Sequence, residues 1–315
     1  MKKSAEIIMH EYQVRKTKKQ KQAFMQWLSE HLSAYGYHMR EDQYSKQGSN
    51  LIVGDVQSAE VILTAHYDTQ PNFLFPVIMG FSNWFSFCIS QIIVVLPLLA
   101  FAVLLKVLAT QLWGNSVGYW LAGACCIVYL AQTLFGIPNR HTANDNTSGV
   151  ATLISILEEL PEEDRHKVCV VFFDQEELGL IGSQKFYKKY KAHVRHKPLI
   201  NFDCVGDGQT LTFVMKKKFR NSAYSELLQE ASGKITVQTE KKVRFANALG
   251  TIYMSDQQSF PCGVGVVAAK KTPVFGYYIN RLHSRLDTKC DSDNIQLLTD
   301  TMLQFIRETS VHQDA

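Results

Sequence analysis

The sequence predicts an α/β protein: a mixed, mainly parallel central sheet with helices on both faces, and a two-helix transmembrane hairpin inserted into it. Three observations predict this. Apolar runs of strand length alternate with stretches of helical periodicity over most of the 315 residues, the pattern of a sheet covered on both sides. One such run, Val168–Phe173, ends in the acidic turn Asp174-Gln175-Glu176-Glu177. Carboxylates just beyond the carboxyl end of a strand sit where open α/β sheets place their ligands. Between Thr69 and Asn139 the only charged side chain is Lys106, and two apolar runs of about 20 residues fill that interval.

Composition bounds the rest. The chain is 46% hydrophobic and 20% charged, which suits a folded protein, and its formal net charge of +4 gives no case for a nucleic-acid partner. The seven cysteines contain no C-x-x-C pair, which fits reduced thiols and a domain on the cytosolic side. No apolar stretch follows Met1-Lys2-Lys3-Ser4-Ala5-Glu6, so no signal peptide is expected.

Residues 1–35 read as helical, with Ala23, Phe24, Trp27, Leu28 and Leu32 at helical spacing. The basic run before them, Arg15, Lys16, Lys18, Lys19 and Lys21, reads as a solvated helix face. Strands follow around Leu51-Ile52-Val53 and Val61-Ile62-Leu63-Thr64, the second leading into His66-Tyr67-Asp68-Thr69. Spanning helices are expected at about 87–108 and 117–137, each long enough for ~30 Å of hydrocarbon. Pro97 should kink the first, and Trp113 and Asn115 fall in the connection, Ala109 to Ser116. Gly118, Ala122 and Cys126 form a small-residue face suited to helix packing or to self-association of the hairpin. The apolar lead-in from Asn72 to Phe81 is expected to lie along the membrane surface.

A two-helix hairpin returns the chain to the side it left. Residues 1–70 and 139–315 are therefore expected to form one folded domain, with 71–138 inserted. The hairpin tip has no Lys or Arg, whereas Arg140 and the basic N-terminal helix lie on the domain side. The expected location is thus the cell membrane, with the domain cytoplasmic. After the hairpin, the polar turn Asn144 to Gly149 should start a helix carrying Val150, Leu153, Ile154 and Leu157. A helix from Leu178 to about Tyr190, strands at Leu199–Asp203, Leu211–Met215, Val264–Ala268 and Val274–Ile279, and a helix from about Asn294 to Glu308 complete the chain.

Five separated positions place a metal-type ligand at a strand end or turn: His66, Asp145, Glu177, Asp203 and His283. Two imidazoles and three carboxylates suit zinc, with cobalt or manganese as substitutes. Asp68, two residues after His66, shares a strand face with it and can orient its ring. Adjacent Glu176 and Glu177 repel unless a cation or a shared proton relieves them.

The segments His66-Tyr67-Asp68-Thr69, Asp145-Asn146-Thr147-Ser148-Gly149, Glu176-Glu177-Leu178-Gly179, Asn201-Phe202-Asp203 and His283-Ser284-Arg285-Leu286-Asp287-Thr288 together resemble the motif series of the co-catalytic di-zinc peptidases. That family includes leucyl aminopeptidases, glutamate carboxypeptidase and glutaminyl cyclases. The resemblance implies two Zn2+ ions bridged by Asp145, with His66 and Asp203 completing one site and Glu177 and His283 the other. It also implies Glu176 as general base and Asp68 as the partner of His66. Two departures stand out: Leu282 occupies the place of a frequent Tyr, and Gln257 that of a His. Tyr277 or Tyr278 is a candidate for a transition-state hydrogen bond. Between Asp68 and Asp145 the family normally has a short loop; here the numbering advances by 77 residues. The hairpin is thus spliced between two metal motifs, and the active site should abut the bilayer.

The implied function is a membrane-anchored zinc aminopeptidase acting on peptides, including hydrophobic or membrane-associated ones. A glutaminyl cyclase-like acyl transferase and a carboxypeptidase would share most of these residues. A non-catalytic membrane scaffold is the reading from another class. The expected partners are a peptide substrate, the lipid bilayer and a second copy through the hairpin, with no nucleic acid.

Overall fold

Residues 2–237 and 239–309 are described by a computed structural model of the chain. Two helices open it, α1 Lys3–Glu11 and α2 Lys18–Ala34, followed by strands β1 Met39–Gln43, β2 Ser49–Val53, β3 Val61–His66 and β4 Val77–Gly80. Next come the long helices α3 Trp84–Trp113 and α4 Asn115–Phe135, an irregular turn Ala143–Ser148, and α5 Gly149–Glu159. Then follow β5 Val168–Phe173, α6 Ile181–Val194, β6 Leu199–Phe202, β7 Thr210–Met215, α7 Lys217–Arg220 and α8 Ala223–Thr236. The chain continues through β8 Lys242–Asn247, β9 Gly263–Thr272 and β10 Gly276–Leu282 to α9 Ser292–Thr309.

The strands form one mixed sheet in the order β1-β2-β5-β3-β6-β9-β10-β4, with β7 paired to β9 and β8 to β7. Its centre is parallel, β5 on β3, β3 on β6 and β6 on β9; β1, β2, β10 and β4 join antiparallel at its two ends, and β7 joins β9 antiparallel while β8 runs parallel to β7. Side chains of a strand alternate between faces, and β5 shows it: Val168, Val170 and Phe172 enter the larger core, while Cys169, Val171 and Phe173 enter a second one. The larger core is closed by residues of α2, α5, α8 and α9, including Phe24, Leu157, Leu228 and Phe305. The second is closed by Phe186 and Val194 of α6. Both faces of the sheet are covered.

The N-terminal 34 residues form two helices, because Thr17 caps α2 reciprocally with Gln20 and so starts a new helix. The basic run divides accordingly. Arg15 is fully buried, contrary to a solvated-face reading. Its guanidinium donates to the Tyr67 carbonyl and to Thr147 Oγ1 (3.2 Å), and it stacks 5.3 Å from the Phe24 ring.

The long helices differ from expectation in extent. α3 starts at Trp84, earlier than position 87, because Asn83 accepts a hydrogen bond from the Ser86 N–H at 2.8 Å. With no Gly or Pro from Ala109 to Trp113, it runs on to Gly114, which alone forms the connection, at φ 92°. α4 ends at Phe135, before Gly136 and Pro138. Both helices are long and apolar enough to cross a membrane, and only 11% and 6% of their most apolar stretches are buried. A soluble core helix would be mostly enclosed. Gly118 is spent inside the hairpin, where a side chain would collide with Thr110 and the Lys106 carbonyl.

The lead-in behaves differently from a surface-lying segment. Residues 77–80 form β4, which pairs with β10 through Tyr278↔Gly80 and Ile279↔Met79. The two ends of the hairpin meet at Pro71 and Pro138, flanked by Asn72 N–H to Ile137 O (2.8 Å) and Asn139 N–H to Gln70 O (3.0 Å).

Candidate metal centre

Parallel strands carry their carboxyl ends to one edge of a sheet. β3 delivers His66, β5 is followed by Glu176 and Glu177, and β6 is followed by Asp203. β9 overruns that edge by six residues past Val266, which pairs with Phe202, and β10 returns through seven residues. His283 is thereby brought back to the level of the others. The turn Ala143–Ser148 supplies Asp145 at the head of α5.

The five side chains converge. His66 Nε2 lies 3.3 Å from Asp145 Oδ1 and 3.6 Å from Asp203 Oδ1. His283 Nε2 lies 3.1 Å from Asp145 Oδ2 and 3.4 Å from Glu177 Oε2. Two ligand-type groups result, His66–Asp145–Asp203 and Asp145–Glu177–His283, with Asp145 common to both. Glu176 and Glu177 also approach His66 closely enough to form a third grouping.

Buried polar atoms in such a cluster should have partners. Both ring nitrogens of His66, Nδ1 of His283, Glu177 Oε1 and Asp203 Oδ1 make no hydrogen bond, although carboxylate oxygens stand near His66. Burial raises the Glu176 and Glu177 carboxyls well above the ordinary carboxylate range, with nearby acids adding to it. Burial also opposes charge on His66, yet Glu176, Asp145, Asp203 and Asp68 together hold it well above its usual value. Unpartnered lone pairs and repelling acids of this kind are what cations would satisfy.

The surrounding scaffold is polar and well bonded. Asp68 stands 3.5 Å from His66 Nδ1 and accepts hydrogen bonds from the backbone N–H groups of Glu176 and Glu177, at 3.0 and 3.3 Å. Asp287, inside the last motif but given no role from sequence, accepts from the N–H groups of Asn144 (2.8 Å) and Asp145 (2.9 Å). Asn146 accepts from Gly149 N–H at 3.0 Å and donates to the Phe202 carbonyl at 3.0 Å. A side chain at position 149 would collide with that carbonyl, so the turn requires Gly149. Among the described residues, three of the five non-glycine positions at positive φ flank or belong to the cluster, Gln175, Cys204 and His283. Strain of roughly 1–3 kcal/mol each is commonly stored at such sites.

Other expected residues lie elsewhere. Gln257 is buried in a structural network, accepting from Asn201 Nδ2 at 3.1 Å and donating to the Tyr253 carbonyl at 3.2 Å. The Tyr277 ring packs under the Arg244 guanidinium, and the Tyr278 ring lies 5.8 Å from that of Phe275. Asp256, fully buried and pushed up to about 7 by burial, was visible in the sequence only as a neighbour of Gln257.

The hairpin reaches the cluster directly. Phe73 packs edge-on against the His283 ring at 4.8 Å, and its N–H donates to the His283 carbonyl at 2.7 Å. A crevice of about 410 Å3 opens beside Asp68 and Glu177, and Leu134 and Phe135 at the end of α4 line its wall.

Residues 130–306, more than half of the chain, match the sequence pattern of Peptidase family M28. The chain belongs to this family. Zinc is the ion that membership implies, and the mixed imidazole and carboxylate groups with their orphaned atoms fit it. Among solved structures, the glutaminyl cyclase of Fimbriiglobus ruber is similar in fold, with a TM-score of 0.54 and 16% identity over 96% of this chain and 93% of that one. The zinc aminopeptidase BSAP of Bacillus subtilis has a TM-score of 0.44 and 15% identity, covering 84% of this chain but 51% of that one. This chain thus spans about half the length of the aminopeptidase. No curated protein matches the chain.

Proposed function

We propose that this M28 peptidase is a membrane-anchored zinc aminopeptidase, hydrolysing the N-terminal peptide bond of its substrates. One observation carries the reading: the two carboxylate oxygens of Asp145 face different imidazoles, His66 at 3.3 Å and His283 at 3.1 Å. That is the arrangement of a bridging ligand. His66 and Asp203 would complete one zinc site, Glu177 and His283 the other.

When bound, the zinc pair supplies polarisation of the scissile carbonyl and acidification of the attacking water. Glu176 takes a proton from that water and passes it to the leaving amine as the C–N bond breaks. The products are a carboxylate and a free amine. Asp68 acts through others: its contact with His66 orients that ring, and its bonds to the 176–177 backbone hold the base over the cluster. The acid-rich surroundings of Glu176 and Glu177 favour a substrate ammonium, which supports attack at a free N-terminus.

The exposed apolar faces of α3 and α4 support membrane anchoring by the hairpin. In this reading residues 1–70 and 139–315 form one catalytic domain, and the Lys- and Arg-free tip supports a cytoplasmic side for it. The contact of Phe73 with His283 and the apolar wall of the crevice support substrates that arrive from the membrane surface.

The test uses full-length protein in detergent, stripped with chelator and restored with zinc. Free-amine peptides should be shortened from the N-terminus, their N-acetylated forms should resist, and Glu176→Gln should lose hydrolysis while keeping its zinc. Full activity in Glu176→Gln would refute the base assignment. The likeness in fold to a glutaminyl cyclase motivates a second reading. Peptides beginning with Gln separate the two: loss of ammonia without chain cleavage marks cyclisation.

A further inference from the structure

The crevice beside the cluster has two unlike walls. Leu134 and Phe135 make one of them apolar, while Lys16, Lys18 and Lys21 line the other. Its volume of about 410 Å3 falls in the ~300–1,000 Å3 range of pockets that enclose small molecules, which suits a peptide of a few residues. Of the three lysines, Lys21 is engaged, pairing with Asp174 and lying 5.8 Å from the Tyr67 ring. Lys16 is half-buried, and among the described residues no ion pair holds its ammonium. It lines the crevice together with Asp68 and Glu177. Lys19, from the same basic run, is exposed and does not line the crevice.

A partly desolvated cation without a partner is costly, and an anion placed against it recovers that cost through charge-assisted hydrogen bonds. We propose that Lys16 receives a carboxylate of the substrate, so that the crevice selects short peptides carrying an anion beyond the scissile bond. This rests on the peptidase reading above. The carboxylate has two sources, the free C-terminus of a short peptide or an acidic side chain. Lys16 lies in the N-terminal segment, before the stretch that matches the family, 130–306.

The experiment compares kcat/KM of full-length, zinc-restored protein in detergent on two peptide pairs. Leu-Ala-Ala with a free carboxyl is set against its C-terminal amide, and Leu-Glu-Ala amide against Leu-Gln-Ala amide. The acid should be preferred by about tenfold or more in one pair, the strength of a charged hydrogen bond; the pair that shows it identifies the source. Lys16→Met should bring that ratio towards one with zinc content unchanged, Lys16→Arg should keep most of it, and Lys19→Met should keep all of it. As a binding readout, the acid product should inhibit the native protein more strongly than its amide, and Lys16→Met should erase the difference. Equal rates within both pairs, or a preference that survives Lys16→Met, would overturn the inference and leave the peptidase reading standing. Absence of cleavage in every peptide, with zinc bound, would overturn both.

Discussion

Asp68 Oδ1 accepts a hydrogen bond from the backbone N–H of Glu176 at 3.0 Å, joining the segment after β3 to the turn after β5. The same carboxylate reaches Glu177 N–H and the His66 ring, so one acid contacts two neighbouring acidic residues through their backbone and one imidazole. Asp68→Asn keeps a single acceptor oxygen and cannot serve both N–H groups and the ring. It should lower kcat by about 10–100-fold while most of the zinc stays bound, checked by steady-state kinetics and elemental analysis of the same sample.

Arg15 plays a comparable part from the N-terminal segment. Its backbone N–H donates to Thr69 Oγ1 at 2.9 Å, and its guanidinium ties the Tyr67 carbonyl to Thr147. The N-terminal segment thus clamps the end of β3 to the turn that carries Asp145. Arg15→Met strands those buried acceptors, so it should destabilise the fold by on the order of 2–3 kcal/mol. Thermal melting in detergent measures this, and Arg15→Lys should recover only part of it.

Chelation should lower the melting temperature, because the acids around Asp145 are left crowded and partnerless. Restored zinc at 100 times its dissociation constant should add about 2.7 kcal/mol of stability. Asp145→Ala should make the melting temperature insensitive to zinc, and continued sensitivity would place the metal elsewhere.

The hairpin offers a separate test. Gly118 packs against Thr110 and the Lys106 carbonyl, so Gly118→Leu forces α3 and α4 apart. Overpacking of this kind costs roughly 1–3 kcal/mol. A reduced melting temperature in detergent, with zinc content unchanged, is the expected result.

Much of this was legible in the sequence because the informative residues lie where strands end. The apolar runs of β3, β5 and β6 stand out by themselves, and parallel pairing then gathers the residues at their carboxyl ends: His66, Glu177 and Asp203. Other elements leave weaker traces. β8 reads Lys242-Val243-Arg244-Phe245-Ala246-Asn247, too charged to resemble a core strand, since its pairing is with β7 at the sheet margin. β4 is short, half-exposed and embedded in an apolar stretch, which hid it beside the hairpin. α8, with Leu227, Leu228 and Ala231 buried, gave no clear strand or helix signal among its polar residues. Arg15 and Asp287 were hidden for another reason: their importance comes from tertiary hydrogen bonds, which local sequence pattern does not encode.

The unequal lengths of the two long helices have a geometric consequence. They share the tip at Gly114, yet α3 has 30 residues and α4 has 21, so α3 extends further towards the sheet by ~13 Å at 1.5 Å per residue. That extra length contains the buried Ser86 and Ser90, and Ser86 Oγ donates to the Phe275 carbonyl. One side of the overhang is therefore a bracket bolted to the β9–β10 corner, with β4 and the Pro71–Pro138 bridge as further fastenings, while Trp84, Phe85 and Ile92 stay exposed on its other side. Were the hairpin to span a bilayer, such a mount would work as a ruler, fixing the height of the crevice mouth beside Phe135 relative to the headgroups.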